Sequence, residues 1–155
     1  MISTETGKIE RTIVVRAPQA RVWRALTNLE EFAKWFSVEA EGKFEPGARL
    51  RMVSTYDGSC KGESFVLEVE EMTPESVFSW RWHPGTNEPG VDYSKEPKTL
   101  VRFELEPVDG GTRVTVVESG FDGLSLARRA RIFAENVEGW KIQLAALAKY
   151  AGEAA

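Results

Sequence analysis

A few side chains in this sequence have types and positions suited to chemistry. The only histidine, His83, directly follows Trp82 at the start of a proline- and glycine-rich stretch, where an imidazole could act as a general acid or base. Glu118 ends an alternating stretch, and a carboxylate that faces an apolar interior could anchor a ligand or move a proton. Tyr56 offers a third group for proton transfer. Glu118 and His83 are therefore candidates for catalysis, although the sequence assigns no catalytic residue.

Each of these candidates also has a simpler interpretation. A small twist or bulge at the strand end would turn Glu118 to solvent or toward an arginine. No nucleophile, partner carboxylate or His/Cys cluster stands near His83 in the sequence, so a solvent-facing histidine is the favoured interpretation. Cys60 lies beside Lys61 in or just after a turn, where thiols are usually inert. Because a zinc site needs three or four suitable ligands and the chain has one His and one Cys, we expect neither a metal nor a cofactor.

Tryptophan is abundant in the chain. Five tryptophans are many for 155 residues, and each indole provides a large flat contact area together with one hydrogen-bond donor. We predict that Trp35, Trp80, Trp82 and Trp140 form the wall of a ligand pocket. The alternative is ordinary core packing, which is what apolar stripes at strand and helix spacing most often provide.

Composition favours one domain that spans residues 1–155. At 42% hydrophobic residues, the chain can bury a core of its own. Its 20 Lys and Arg are scattered among 24 Asp and Glu for a formal net charge of −4, which disfavours nucleic acid as a partner. A single cysteine can form no internal disulfide, and no segment has the length of about 18 apolar residues that a membrane span requires. We expect a soluble cytoplasmic protein without an export signal.

The first half of the chain alternates between strand and helix patterns. Residues 8–16 alternate as in a half-buried strand, Pro18 marks a helix start, and residues 29–36 keep helical spacing. From 38 to 81 the apolar period is two, and turn signals at 45–47, 57–58 and 73–75 separate the strands. These patterns predict two short helices between the first strand and a run of antiparallel strands.

The second half predicts a hairpin and one long helix. Residues 83–97 are too long for a tight turn and lack periodicity, so we expect an exposed loop or flap. Strands at 99–106 and 112–119 are joined by Asp109-Gly110-Gly111, a strong hairpin signal. After 123 the period returns to 3.6, and the helix is expected to end near Gly152 in a left-handed cap. Its apolar stripe consists of Phe133, Val137, Trp140, Leu144 and Leu147.

The fold class that follows is α+β, with a curved antiparallel sheet of about six to seven strands wrapped around the C-terminal helix. A ligand cavity between sheet and helix is the expected site. Strand parity sends mainly apolar side chains inward, with Ser54, Tyr56 and Glu118 as the polar exceptions. The predicted ligand-binding set is Trp35, Met52, Ser54, Tyr56, Phe65, Trp80, Trp82, Phe103, Glu118, Trp140 and Leu144.

Six segments of the chain, in this order and spacing, resemble the START/Bet v 1-like superfamily. They are APQARVWRALTN at 17–28, KWF at 34–36, FEPGARLRM at 44–52, VEEMTPESVFSWRW at 69–82, ESGF at 118–121 and GWKIQLAALAKY at 139–150. The sequence is most similar to the group related to the C-terminal domain of the Hsp90 ATPase activator, which includes bacterial single-domain proteins. The resemblance implies a helix-grip fold with a pocket. It does not name the occupant, because the superfamily includes lipid and hormone carriers, polyketide cyclases, antibiotic-sequestering proteins and a co-chaperone domain.

Three hypotheses for function remain in competition. The leading one is non-enzymatic binding or sequestration of a hydrophobic small molecule, because the predicted interior is aromatic and lacks a catalytic constellation. The second is a cyclase or hydrolase-like enzyme that uses Glu118 or His83. The third, implied by the resemblance alone, is a co-chaperone-like interaction or stress-response role, for which a homodimer or a chaperone partner is left open.

Overall fold

In the computed structural model, residues 7–56, 61–84 and 95–153 are described. Within these ranges, seven strands form one antiparallel sheet in the spatial order β1-β7-β6-β5-β4-β3-β2. The strands are β1 Lys8–Val15, β2 Val38–Ala40, β3 Arg49–Ser54, β4 Ser64–Thr73, β5 Val77–Trp82, β6 Thr99–Val108 and β7 Gly111–Ser119. The helices are α1 Gln19–Thr27, α2 Leu29–Phe36 and α3 Leu126–Glu153, with a short 3-10 turn at Phe121–Gly123. The predicted α+β fold, a curved sheet with a long C-terminal helix packed on it, is confirmed.

Local sequence explains where the short helices begin and end. Pro18 is the extended residue before α1, where its missing N–H costs nothing. Asn28 then caps α2, because its side chain accepts a hydrogen bond from the backbone N–H of Glu31 at 3.1 Å. Ser37 ends the helix in the left-handed conformation, with φ of 61°. Two helices are thereby folded into the connection between β1 and β2.

The β6–β7 hairpin turns on two glycines. Gly110 has φ of 84°, in the left-handed region that glycine adopts without strain. A Cβ atom on Gly111 would lie 2.0 Å from the backbone oxygen of Val15, so only glycine allows β1 to end so close to the turn. The predicted hairpin is therefore observed, with β6 extended to Val108.

The two faces of the sheet differ sharply in burial. Residues on the concave face, under α2 and α3, are buried at strand spacing; they include Leu50, Met52, Leu67, Val69, Phe78, Trp80, Val101, Phe103, Val114 and Val116. The alternate residues point outward and are mostly exposed or half-buried. The predicted parity is thus confirmed, apart from a register shift in β4 between Val69 and Glu71, where the pairing with β5 is irregular.

The end of α3 differs from the sequence prediction, and two predicted segments lie partly or wholly outside the described residues. Gly152 is not a left-handed cap, because α3 continues through it and its φ is not positive. A Cβ atom there would lie 4.0 Å from the backbone of Arg16, an ordinary van der Waals distance, so the packing at this position does not require glycine. The turn predicted at 57–58 and residues 85–94 of the predicted flap lie outside the described residues.

Candidate functional site

The space between the sheet and the helices is occupied by aromatic rings. We call these nine side chains the interior aromatic cluster: Phe32, Phe36, Phe44, Phe65, Phe78, Trp80, Trp82, Phe103 and Trp140. Trp80 is its centre, with ring centroids 5.5 Å from Phe103, 5.6 Å from Trp82 and 6.3 Å from Trp140. Many of the contacts are edge-to-face, the geometry that aromatic quadrupoles favour. The sheet and α3 are therefore joined through ring contacts.

Burial within the cluster decreases toward one edge. Trp80, Phe78 and Phe103 are fully buried, whereas Phe65 and Trp82 are only half-buried. Phe65 and Trp82 meet edge-to-face with centroids 5.7 Å apart. We call this pair the aromatic edge. It is the least buried part of the cluster.

A fully buried carboxylate, Glu118, lies beside the cluster. Its Oε2 accepts hydrogen bonds from Trp82 Nε1 at 2.8 Å and from Thr99 Oγ1 at 2.6 Å. Its Oε1 accepts hydrogen bonds from Asn136 Nδ2 and Trp140 Nε1, both at 2.8 Å. All four donors are neutral groups, and they come from β5, β6 and α3.

The folding pattern explains why these four donors converge. Glu118 follows Val114 and Val116 on the inward face of β7, as the alternation predicts. Asn136 and Trp140 are four residues apart and so share one face of α3. Trp82 and Thr99 are directly paired between β5 and β6; Thr99 is one strand from Glu118, and Trp82 is two strands from it. The carboxylate therefore connects three strands to the long helix.

The contacts of Glu118 suit a structural role better than proton transfer. A carboxylate offers about four lone-pair positions, and four donors occupy them. To accept a hydrogen bond from a ligand, Glu118 would first have to lose one of these four, at the cost of leaving a buried donor without a partner. Nothing in its contacts supports the catalytic role suggested by the sequence.

His83, the other catalytic candidate, is half-buried at the end of β5. Burial lowers the pKa of its imidazole, the positive charge of Lys98 lowers it further, and the carboxylates of Glu96 and Glu68 act in the opposite direction. Its Nδ1 is buried and has no hydrogen-bond partner in the described part of the chain. His83 is thus favoured as a neutral imidazole, and no contact couples it to Glu118.

The remaining predicted lining residues differ in burial and position. Met52 and Leu144 are buried on the two sides of the interior, and Ser54 is half-buried at the end of β3. Tyr56 is 42% exposed and does not continue the inward face as predicted, because β3 ends at Ser54 and the alternation ends with it. Trp35 is buried between α1 and α2, where its Nε1 donates to the backbone oxygen of Ala25 at 2.8 Å. Its ring also meets Phe32 and Phe36 of the cluster edge-to-face, with centroids 5.1 and 5.4 Å apart, and its pocket-wall role stays a prediction.

Comparison with protein families gives the relationship of the chain. Residues 16–152 match the family described as Activator of Hsp90 ATPase homolog 1-like protein. The chain belongs to this family. The solved structures that share the fold of this chain include the three described next, and no curated protein matches the chain.

Protein MLL2253 from Mesorhizobium loti is 21% identical, with 92% of this chain and 95% of that chain covered and a TM-score of 0.73. The dimeric Aha1 from Colwellia psychrerythraea is 19% identical, with 94% and 96% covered and a TM-score of 0.70. DynU16, a protein of the dynemicin biosynthetic locus, is 26% identical, with 93% of this chain covered and a TM-score of 0.70. This family member spans 46% of the length of DynU16.

Two further observations on the described ranges concern membranes and metals. None of the helices in those ranges is long and apolar enough to cross a membrane. Within the same ranges, no three His, Cys, Asp or Glu side chains gather in a way that could hold a metal ion.

Two donors of the Glu118 network were missed by sequence reasoning. Thr99 precedes Val101 and Phe103 on the same face of β6, so strand parity could have placed it inward. Asn136 lies one helical turn before Trp140, so the apolar stripe of α3 could have pointed to it. Neither signal shows that these two side chains meet the same carboxylate.

Proposed function

We propose that this protein binds a flat, hydrophobic small molecule between the sheet and α3, at the aromatic edge formed by Phe65 and Trp82. The observation that carries the proposal is the decrease in burial across the interior aromatic cluster, from fully buried Trp80 to half-buried Phe65 and Trp82. Ligand sites are concave and mainly apolar, with a few fixed polar groups beside them. The aromatic edge is apolar, and the neighbouring Glu118 network supplies fixed polar groups beside it.

The Glu118 network would prepare the site for its ligand. Hydrogen bonds to Glu118 fix the indoles of Trp82 and Trp140, whose centroids are 5.9 Å apart. A ring surface that is already ordered loses little side-chain entropy when a ligand stacks on it. Glu118 is therefore a positioning residue in this proposal, and binding needs no chemical step. A cytoplasmic location is proposed with it, since the single cysteine leaves the chain without an internal disulfide.

The experiment compares two adjacent residues of β4. Phe65 points inward at the aromatic edge, and Val66 points outward and is 37% exposed. We expect 2-ethylnaphthalene to bind saturably and to shift the indole N–H signal of Trp82 in NMR spectra. Phe65→Ala should weaken this binding about tenfold, whereas Val66→Ala should leave it unchanged. Absence of saturable binding, or equal effects of the two substitutions, would refute the proposal.

A protein-interaction role is the second candidate, favoured by membership in a family named for activation of the Hsp90 ATPase. It needs no small ligand, so the two functions are separable by experiment. The test is stimulation of the ATPase of an Hsp90-type chaperone by this protein, together with co-sedimentation of the two. Stimulation that persists in Phe65→Ala would favour this role, and its absence would remove it.

A further inference from the structure

One buried indole in the aromatic cluster has an unused hydrogen-bond donor. Trp80 is fully buried, yet its Nε1 has no hydrogen-bond partner in the described part of the chain. The neighbouring indoles differ, because Trp82 and Trp140 both donate to Glu118 at 2.8 Å. Trp35, in the helical layer, donates to a backbone oxygen. A donor that is buried without a partner carries the full cost of its lost hydration, so the position of Trp80 Nε1 needs an explanation.

We propose that Trp80 Nε1 donates a hydrogen bond to the ligand, which is therefore a flat apolar molecule that carries a neutral acceptor such as a ketone oxygen. This inference rests on the proposed function and specifies the ligand class. Trp80 is next to the aromatic edge, with its centroid 5.6 Å from that of Trp82. Because Glu118 holds the Trp82 indole, the proposal requires Phe65 to move aside for a ligand stacked on Trp82 to reach Trp80.

A trapped water molecule explains the free donor less well. A buried water usually makes about three hydrogen bonds. The rings around Trp80 are phenyl groups, which offer no strong donor or acceptor, and two indoles whose N–H groups are taken by Glu118. Water there would gain one strong partner from these neighbours. A ketone brings its own apolar body, so it can satisfy the N–H and fill the surrounding space.

An N–H···π contact is the alternative within the protein itself. The ring of Phe32 stands at 89° to Trp80 with centroids 5.9 Å apart, an edge-to-face arrangement. Such contacts are weaker than hydrogen bonds to oxygen, so a ligand oxygen within reach would replace one. The difference is measurable, because an indole proton over a ring face and one bonded to oxygen have distinct chemical shifts.

The charge near the site also selects among acceptors. Trp82 and Trp140 are both in ring contact with Trp80, and both donate hydrogen bonds to the buried carboxyl group of Glu118. A ligand carboxylate bound at Trp80 would lie near this acidic group in a poorly solvated interior, where repulsion is strong and desolvation is costly. A neutral carbonyl has neither penalty, so the proposal specifies a neutral acceptor.

The experiment uses ligands that differ in one group. 2-Acetylnaphthalene and 2-ethylnaphthalene have nearly the same shape, and only the first has an acceptor; 2-naphthoate is the anionic comparison. We expect the wild-type protein to bind the acetyl compound about threefold to tenfold more tightly than the ethyl compound, and the naphthoate least tightly. Trp80→Phe should bring the acetyl-to-ethyl ratio to about one. Trp23→Phe, an indole substitution at a half-buried residue of α1 outside the predicted ligand-binding set, should keep the wild-type ratio.

The outcomes separate this inference from the proposed function. If no naphthalene binds, the proposed function fails and the inference fails with it. If the acetyl and ethyl compounds bind equally well to the wild type, or Trp80→Phe keeps the preference, the function stands and the inference is wrong. Should Trp80→Phe not fold, the indole N–H signal of Trp80 in the wild type decides. It must move downfield with the acetyl compound and not with the ethyl compound.

Discussion

The two faces of the sheet use carboxylates in opposite ways. On the concave face, Glu118 is fully buried and is held by four neutral donors. On the convex face, glutamates pair with arginines that are partly hydrated, as in Arg81–Glu70 at 3.0 Å and Arg113–Glu106 at 2.6 Å. Burial therefore decides how much a carboxylate matters. Removal of the Glu118 carboxylate leaves several buried donors without an acceptor. Removal of a carboxylate on the convex face only exposes its arginine partner to solvent.

The largest expected effect is that of Glu118→Ala. It leaves four donors without an acceptor in the interior, so we expect the free energy of unfolding to fall by at least about 3 kcal/mol. Urea denaturation of this variant, with Glu70→Ala on the convex face as the control, measures the contrast. If Glu118→Ala does not fold, Glu118→Gln, which keeps one acceptor oxygen, serves in its place. Equal losses of unfolding free energy for Glu118→Ala and Glu70→Ala would contradict the claim that burial decides how much a carboxylate contributes.

Glu31, in the helical layer, sharpens the comparison because its partners are charged. Burial opposes its ionisation, but hydrogen bonds from Arg21 and Tyr150 and the charges of Arg21 and Arg24 lower its pKa below the ordinary 4.5. A lowered folded-state pKa stabilises the protein above the unfolded-state value, and this stabilisation is lost as pH falls through the folded-state value. Glu31→Gln should therefore cost roughly 1.5–3 kcal/mol near neutral pH and progressively less below pH 4.5.

The measurement for Glu31 is urea denaturation of wild type and variant at a series of pH values. Glu30, the exposed neighbour in the first turn of α2, is the control position. A stability difference that does not change with pH would contradict the ionic explanation.

Two tryptophans of the cluster test the value of a satisfied donor. Trp140 and Trp80 are both buried, but among the described residues only the indole N–H of Trp140 has an acceptor. Both Trp→Phe substitutions remove ring volume, and Trp140→Phe also removes a hydrogen bond to a buried carboxylate. We expect Trp140→Phe to lower the free energy of unfolding by about 1–2 kcal/mol more than Trp80→Phe. A larger loss for Trp80→Phe would show that its N–H has a partner that the structure does not reveal.

The smallest effect is expected for the convex ion pairs. The Arg113 and Glu106 side chains are 46% and 59% exposed, so a double-mutant cycle should give a coupling of about 0.2–1 kcal/mol. This coupling should decrease further in high salt, where exposed charges are screened. A coupling above that range that resists salt would mean that the convex face also depends on its charges.

Much of the fold could be predicted from apolar periodicity. The bounds predicted for α2, 29–36, match the observed helix, and the hairpin at 109–111 joins the predicted strands. Short-range patterns suffice here, because burial of one face requires spacing that the sequence displays directly. The inward face of Glu118 was predicted for the same reason. The inward orientation predicted for Tyr56 was wrong. The alternation of inward and outward side chains holds only while the strand continues, and the sequence does not mark the end of β3 at Ser54.

The sequence by itself indicated most of the residues that face the interior and nominated one carboxylate among them. Only the tertiary structure decided what that carboxylate does. Its donors Thr99, Asn136 and Trp140 lie 18 to 22 residues away along the chain, and Trp82 lies 36 away. Periodicity specifies a direction for each side chain, but not which side chains meet, because meeting depends on strand register and on the position of α3 across the sheet. For that reason the sequence could nominate Glu118 and the tryptophans, while the packing of α3 on the sheet brought Asn136 and Trp140 to the carboxylate.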